Sequence, residues 1–82
     1  MTKSSEFKAI LEMLENEIEY LKNDSEQTQV LKDEIEKRTE KAATIATILP
    51  HLEMIENDDE PTPVTDAEYH RLVNIIESEL AA

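Results

Sequence analysis

The sequence predicts an all-α protein that self-associates, and three observations support this prediction. Apolar residues recur at spacings of three and four along two long segments, which is the period of an amphipathic helix. The 82 residues include no glycine, which disfavours the tight turns of β-hairpins. The chain also has no cysteine, so no disulfide can supplement a core that is marginal at this size. Self-association is the remaining way to add stability. We therefore expect a helical hairpin or a kinked long helix, plus a short C-terminal helix, assembled as a helical-bundle homo-oligomer.

The chain divides into three regions on composition. Residues 1–57 carry the longest periodic pattern and are expected to form a helical hairpin or coiled-coil-like region. Residues 58–64 contain two prolines and three acids, which is typical of an extended linker. Residues 65–82 are expected to form an amphipathic C-terminal helix.

The first helix is expected to begin after Ser4 or Ser5, because serine is a favourable N-cap residue. It is expected to end near Lys22, where a basic side chain suits the helix dipole. Asn23 follows, and asparagine tolerates the left-handed conformation that often ends a helix.

The second helical segment, about residues 26–57, is out of register with the first. Extending the spacing beyond Leu21 predicts apolar residues at 28 and 32, but the sequence has Leu31. We favour a turn near residues 23–25, with Asp24 or Ser25 capping the second helix. The alternative is one continuous rod with a local change of register.

Pro50 interrupts the second segment. A proline inside a helix removes one backbone hydrogen bond and kinks the axis. Apolar residues resume in register at Leu52 and Ile55, which favours a kink. A separate short helix that starts at Pro50 is the alternative.

One aliphatic set in the first two segments is expected to form both the core and a self-association interface, giving a dimer or a higher oligomer. We call this set the aliphatic seam; its members are Phe7, Leu11, Leu14, Ile18, Leu21, Leu31, Ile35, Ala42, Ile45, Ala46, Leu49 and Leu52. Ala42 and Ala46 lie one turn apart, as do Ala43 and Thr47. These small residues either reflect the helix propensity of alanine or allow a close helix–helix contact.

The last helix has the strongest local start signal. Residues 65–68 read as a capping box with Thr65 as N-cap and Glu68 as its reciprocal partner, and Val64 is placed to pack on Tyr69. One apolar stripe is expected to dock this helix on the bundle, on a neighbouring subunit or on a client; it comprises Tyr69, Leu72, Val73, Ile76 and Leu80.

The sequence offers little for catalysis or for metal binding. Without glycine there is no phosphate-binding loop, no dinucleotide fingerprint and no nucleophile elbow. Asp66 and His70 lie four residues apart and could supply two metal ligands, but two ligands alone make a weak site. His51 follows a proline and is expected to have no ligand role. We predict a protein that is not an enzyme and that has no cofactor and no bound metal.

The charge of −12 is concentrated in the C-terminal half, where residues 42–82 carry nine acids and one base. Five of these acids form a candidate patch for a basic partner: Glu53, Glu56, Asp58, Asp59 and Glu60. This charge disfavours direct binding to nucleic acid or to membranes, and with no signal segment we expect a cytoplasmic protein.

Two functions fit these observations. The first is a non-enzymatic protein–protein interaction module, such as an adaptor, an assembly chaperone or an inhibitor, that self-associates through the aliphatic seam and binds a client protein. The alternative is an acidic decoy that mimics nucleic acid and inhibits a basic nucleic-acid-binding protein, as some small phage or mobile-element proteins do.

Overall fold

The computed structural model describes residues 2–82, which form three α-helices. Helix α1 spans Lys3–Lys22, α2 spans Gln29–Glu56 and α3 spans Pro63–Ala81. No strand occurs within the described residues. The prediction of an all-α chain is confirmed.

Helices α1 and α2 run antiparallel. Ser4, at the start of α1, hydrogen-bonds to Glu56, at the end of α2, and Glu17 contacts Arg38 further along the pair. Helix α3 packs back along the C-terminal half of α2. The molecule measures 52 × 19 × 17 Å, and α2 runs for about 42 Å of that length.

Residues 23–28 separate the first two helices, so they do not form one rod. Asp24 Oδ1 accepts from the backbone N–H of Glu26, and the side-chain amide of Gln27 donates to the carbonyl oxygen of Asp24 at 2.8 Å. Thr28 caps α2 by accepting from the N–H of Leu31, so neither Asp24 nor Ser25 is the N-cap residue. These side chains stabilise the turn without glycine and without the left-handed conformation expected at Asn23, whose φ is −82°.

Helix α1 starts earlier than the sequence suggested. Thr2 is the N-cap, and its hydroxyl oxygen accepts from the N–H of Ser5 at 3.2 Å. Because Thr2 supplies the cap, Ser4 lies in the first turn and is free to bond with α2.

Helix α3 also starts earlier than expected. Thr62 is the N-cap, and it forms a reciprocal capping box with Thr65, so the predicted box with Thr65 as N-cap is wrong. Pro63 fits the first helical position because its fixed φ suits a helix and its missing N–H is not needed there. Val64 therefore lies in the first turn and is exposed, instead of packing on Tyr69 from outside the helix.

Helix α2 continues through Pro50, which excludes a separate helix that starts at this residue. Pro50 lies on the exposed side of α2, where water can satisfy the carbonyl group that has lost its intrahelical donor.

The core lies where all three helices overlap. Its fully buried members are Ile45, Leu52 and Ile76, and the others are Phe7, Leu14, Ala42, Leu49, Leu72 and Val73. Two of the three fully buried residues come from α2, because this helix packs against both of its neighbours.

Candidate interaction surfaces

The aliphatic seam is used mainly for packing within the chain. Six members are buried: Phe7, Leu14, Ala42, Ile45, Leu49 and Leu52. Five are half-buried, namely Leu11, Ile18, Leu21, Leu31 and Ile35. Ala46 is exposed and lies outside the core. Only the half-buried members and Ala46 are accessible for contact with another chain.

The apolar stripe of α3 lies against the rest of the chain. Leu72, Val73 and Ile76 are buried, and Tyr69 and Leu80 are half-buried and packed on the core. A client or a second subunit therefore meets other faces of this helix.

The hairpin extends beyond the end of α3. Lys41 Nζ donates to the carbonyl oxygen of Ala82 at 3.3 Å, which places the C-terminus of the chain beside the middle of α2. Residues 17–22 of α1 and 29–40 of α2 lie beyond this point as a pair without a third helix. We call this part the two-helix end.

Apolar side chains are accessible at the two-helix end. Tyr20 is 79% exposed and Val30 is 73% exposed. Tyr20 and Leu21 line an open cleft of about 370 Å³, together with Glu17 and Arg38. Residues 17–40 therefore contain a pair of helices whose apolar side chains are only partly buried by the rest of the chain.

A cluster of charged side chains joins the two helices at this end. Arg38 Nε donates to Glu17 Oε2 at 2.8 Å, and the same guanidinium pairs with Glu34 one turn earlier on α2. The hydrogen bond from Arg38 and its positive charge lower the pKa of Glu34. Because the side chains are partly solvated, the cluster mainly orients the two helices and adds little stability.

The predicted acidic patch is divided by the fold. Glu53, Asp58, Asp59 and Glu60 are exposed, and no Lys or Arg within the described residues lies at ion-pair distance from them. Glu56 does not belong with them. It is half-buried and accepts hydrogen bonds within the chain, so the structure separates it from the four exposed acids, and the role of the patch in partner binding stays a prediction.

The carboxylate of Glu56 links all three helices. It accepts from the Ser4 N–H at 3.1 Å, from the Ser4 hydroxyl at 2.9 Å and from the Tyr69 hydroxyl at 3.3 Å. Burial and the negative charge of Glu56 raise the pKa of Tyr69 above its usual value. The phenol therefore stays neutral, and able to donate to Glu56, to a higher pH than an exposed tyrosine would.

A second cleft, of about 390 Å³, lies between the end of α2 and the start of α3. Met54, Ile55 and Val64 supply its apolar lining, while Asp58 and Glu68 supply carboxylates. We call it the α2–α3 cleft. Arg71 donates to Glu68, and this pairing, with a smaller effect of the nearby His51, lowers the pKa of Glu68.

The small residues that recur one turn apart on α2 do not form a helix–helix contact face within the chain. Only Ala42 of this set is buried in the core. Ala43 and Thr47 are exposed. The hydroxyl groups of Thr44 and Thr47 donate to backbone carbonyl oxygens four residues earlier in α2. These threonines are thus satisfied by their own helix.

The metal hypothesis gains no support from the geometry. No group of three or more potential ligands converges within residues 2–82. His70 is exposed, and its ring lies edge-on to Tyr69 with the centroids 6.1 Å apart.

Several contacts at these surfaces were not predicted from the sequence. Ser4 and Glu56 are polar partners that are far apart in sequence, and no local motif connects them. Ile48 packs on the core as a member of a second apolar stripe on α2. That stripe could have been found, because Ile48 and Ile55 lie seven residues apart beside the aliphatic seam.

No helix in the described part of the chain is long and apolar enough to cross a membrane. Comparison of the chain with protein-family models, with curated proteins and with solved structures found no match.

Proposed function

We propose that this protein is a non-enzymatic helical interaction module that self-associates through its two-helix end. The observation that carries the proposal is the incomplete cover on the apolar residues there. Ile18, Leu21, Leu31 and Ile35 are only half-buried, whereas the members of the aliphatic seam in the three-helix part are buried, except Leu11 and Ala46. A second two-helix end supplies the missing helices and completes a four-helix arrangement.

Charge favours this end for contact between identical chains. The two-helix end, residues 17–22 and 29–40, carries six acids and four bases, a net charge of −2, whereas residues 42–82 carry a net charge of −8. Two copies therefore repel each other less when they meet through this end than through the acidic C-terminal half. In this arrangement the acidic C-terminal half faces solvent and stays available for a client, as expected of an adaptor, an assembly chaperone or an inhibitor.

Charge insertion at exposed positions tests the proposal without damage to the core. Tyr20→Glu and Val30→Glu are expected to convert a dimer into a folded monomer with unchanged helix content. Ala9→Glu, an exposed position of α1 outside the two-helix end, is the matched control and is expected to keep the dimer. Equal masses for all variants by light scattering would contradict the proposal. Leu14 and Leu49 are unsuitable targets because they lie in the core of the single chain.

The acidic decoy is the second candidate function. It is supported by the segment 42–70, which has no Lys or Arg, and by the exposed Glu53, Asp58, Asp59 and Glu60. A decoy binds its basic target in competition with DNA or RNA, and its affinity falls steeply with salt. Competition assays with a nucleic-acid-binding protein distinguish it from an adaptor, which leaves nucleic-acid binding intact.

A further inference from the structure

The α2–α3 cleft presents apolar side chains that the fold does not bury. Met54 is 71% exposed and Val64 is 78% exposed. Neither belongs to the hydrophobic core or to the partly buried residues packed against it. An exposed apolar pair beside a cleft indicates a surface for binding another molecule.

The surroundings of the cleft are strongly acidic. Between Lys41 and Arg71 the chain has seven acids and no Lys or Arg. Asp58 and Glu68 line the cleft itself. Arg71 is the base that follows, and it is already paired with Glu68. The net field at the cleft attracts cations and repels nucleic acid and anionic lipid.

We infer that the α2–α3 cleft binds a basic amphipathic segment of another protein. An apolar side chain of that segment seats on Met54 and Val64, and a flanking Lys or Arg side chain meets Asp58, which pairs with no Lys or Arg among the described residues. The apolar lining gives contact area, and methionine adapts its shape to different side chains. The surrounding carboxylates select for positive charge and speed the encounter.

A second copy of this chain fits the cleft poorly. Its most basic segment, residues 32–41, carries four bases but also four acids. Arg38 of that segment is already paired with Glu17 and Glu34. The occupant with complementary charge is therefore a different protein.

This inference does not depend on self-association. Residues 38 and 54 are about 24 Å apart along α2, so the two-helix end and the α2–α3 cleft are separate surfaces. Loss of the dimer would leave the cleft intact, and loss of cleft binding would leave the dimer intact.

The test uses the full chain, labelled with ¹⁵N, and a synthetic peptide in which the heptad Leu-Lys-Lys-Leu-Leu-Lys-Leu is written twice. Binding is expected to shift the amide signals of Met54, Ile55 and Val64 and to weaken as salt is added. A peptide with the same composition in a non-amphipathic order is expected to bind about tenfold more weakly, because it cannot present its apolar side chains together. Equal binding of both peptides would overturn the inference and would favour the decoy, which needs charge alone.

Matched variants locate the site. Met54→Ala is expected to weaken peptide binding about fivefold to tenfold, whereas Met13→Ala, at another exposed methionine, leaves it unchanged. Asp58→Asn removes a charge and keeps the oxygen that accepts from the Glu60 N–H. Asp24→Asn is its control, because Asp24 accepts in the same way from Glu26. Equal losses within either pair, or signal shifts centred on the two-helix end, would overturn the inference.

Discussion

Glu56 at the end of α2 provides the hydrogen-bond acceptor for Ser4 at the start of α1. Its carboxylate accepts from both the backbone N–H and the hydroxyl of Ser4. A negative charge is unfavourable at the C-terminus of its own helix and favourable at the N-terminus of another. The antiparallel arrangement of α1 and α2 brings these two ends together, so one acid serves the neighbouring helix.

Removal of this carboxylate is expected to destabilise the protein. Glu56→Ala leaves the Ser4 N–H and two hydroxyl groups without their acceptor, which costs about 2 kcal/mol of unfolding free energy. Glu53→Ala is the matched control, since Glu53 lies one turn earlier and is exposed; its effect stays within about 0.5 kcal/mol. Urea unfolding measures both, and equal effects would contradict the role assigned to Glu56.

High pH is expected to weaken the same junction. The pKa of Tyr69 is raised in the folded protein, so the stability that its neutral form contributes is present below the ordinary value of 10.0 and is lost as pH rises through the folded pKa. Ionised Tyr69 then faces the carboxylate of Glu56. Urea midpoints across this range are expected to fall more steeply for the natural protein than for Tyr69→Phe. An identical decline would show that Tyr69 does not couple to folding.

Substitutions of two adjacent isoleucines test which face of α3 packs on the core. Ile76 is fully buried and Ile75 is 38% exposed. Ile76→Ala leaves a cavity in the core and is expected to cost about 2–5 kcal/mol, enough to unfold much of a small protein. Ile75→Ala is expected to cost well under half as much. Thermal unfolding followed by circular dichroism compares them, and a reversed order would place the wrong face of α3 on the core.

Two substitutions test which residue is the N-cap of α3. Thr62→Ala removes the N-cap hydroxyl and is expected to lower the unfolding free energy by about 1 kcal/mol. Glu68→Ala has no capping role in this structure, so its effect stays within about 0.5 kcal/mol. Chemical denaturation of both variants decides which residue caps the helix. A larger loss of unfolding free energy for Glu68→Ala than for Thr62→Ala would support the capping box of Thr65 and Glu68 that was expected from the sequence.

The helices could be predicted from the sequence because their periodic stripes repeat over several turns. The helix starts could not, since each one offers several suitable residues. Thr2, Ser4 and Ser5 all suit the first cap, and local chemistry does not choose among them. The contact between Ser4 and Glu56 joins residues more than fifty positions apart, so it depends on the tertiary fold.

The surfaces were predicted less completely than the core. The charge of residues 53–60 is visible in the sequence, but which acids stay exposed depends on how α1 approaches the end of α2. The exposure of Tyr20 and Val30 follows from the point where α3 ends, beside Lys41. That point is set by the connection at residues 57–62 and by packing, not by any local pattern.

The most direct test of self-association is the solution mass, measured by light scattering on a sizing column at two protein concentrations and two salt concentrations. Scattering is needed because a molecule of 52 × 19 × 17 Å elutes earlier than its mass implies. Self-association through the two-helix end predicts a mass of twice 9.4 kDa that persists at high salt, because the proposed interface is mainly apolar. A mass of 9.4 kDa under all four conditions would contradict it.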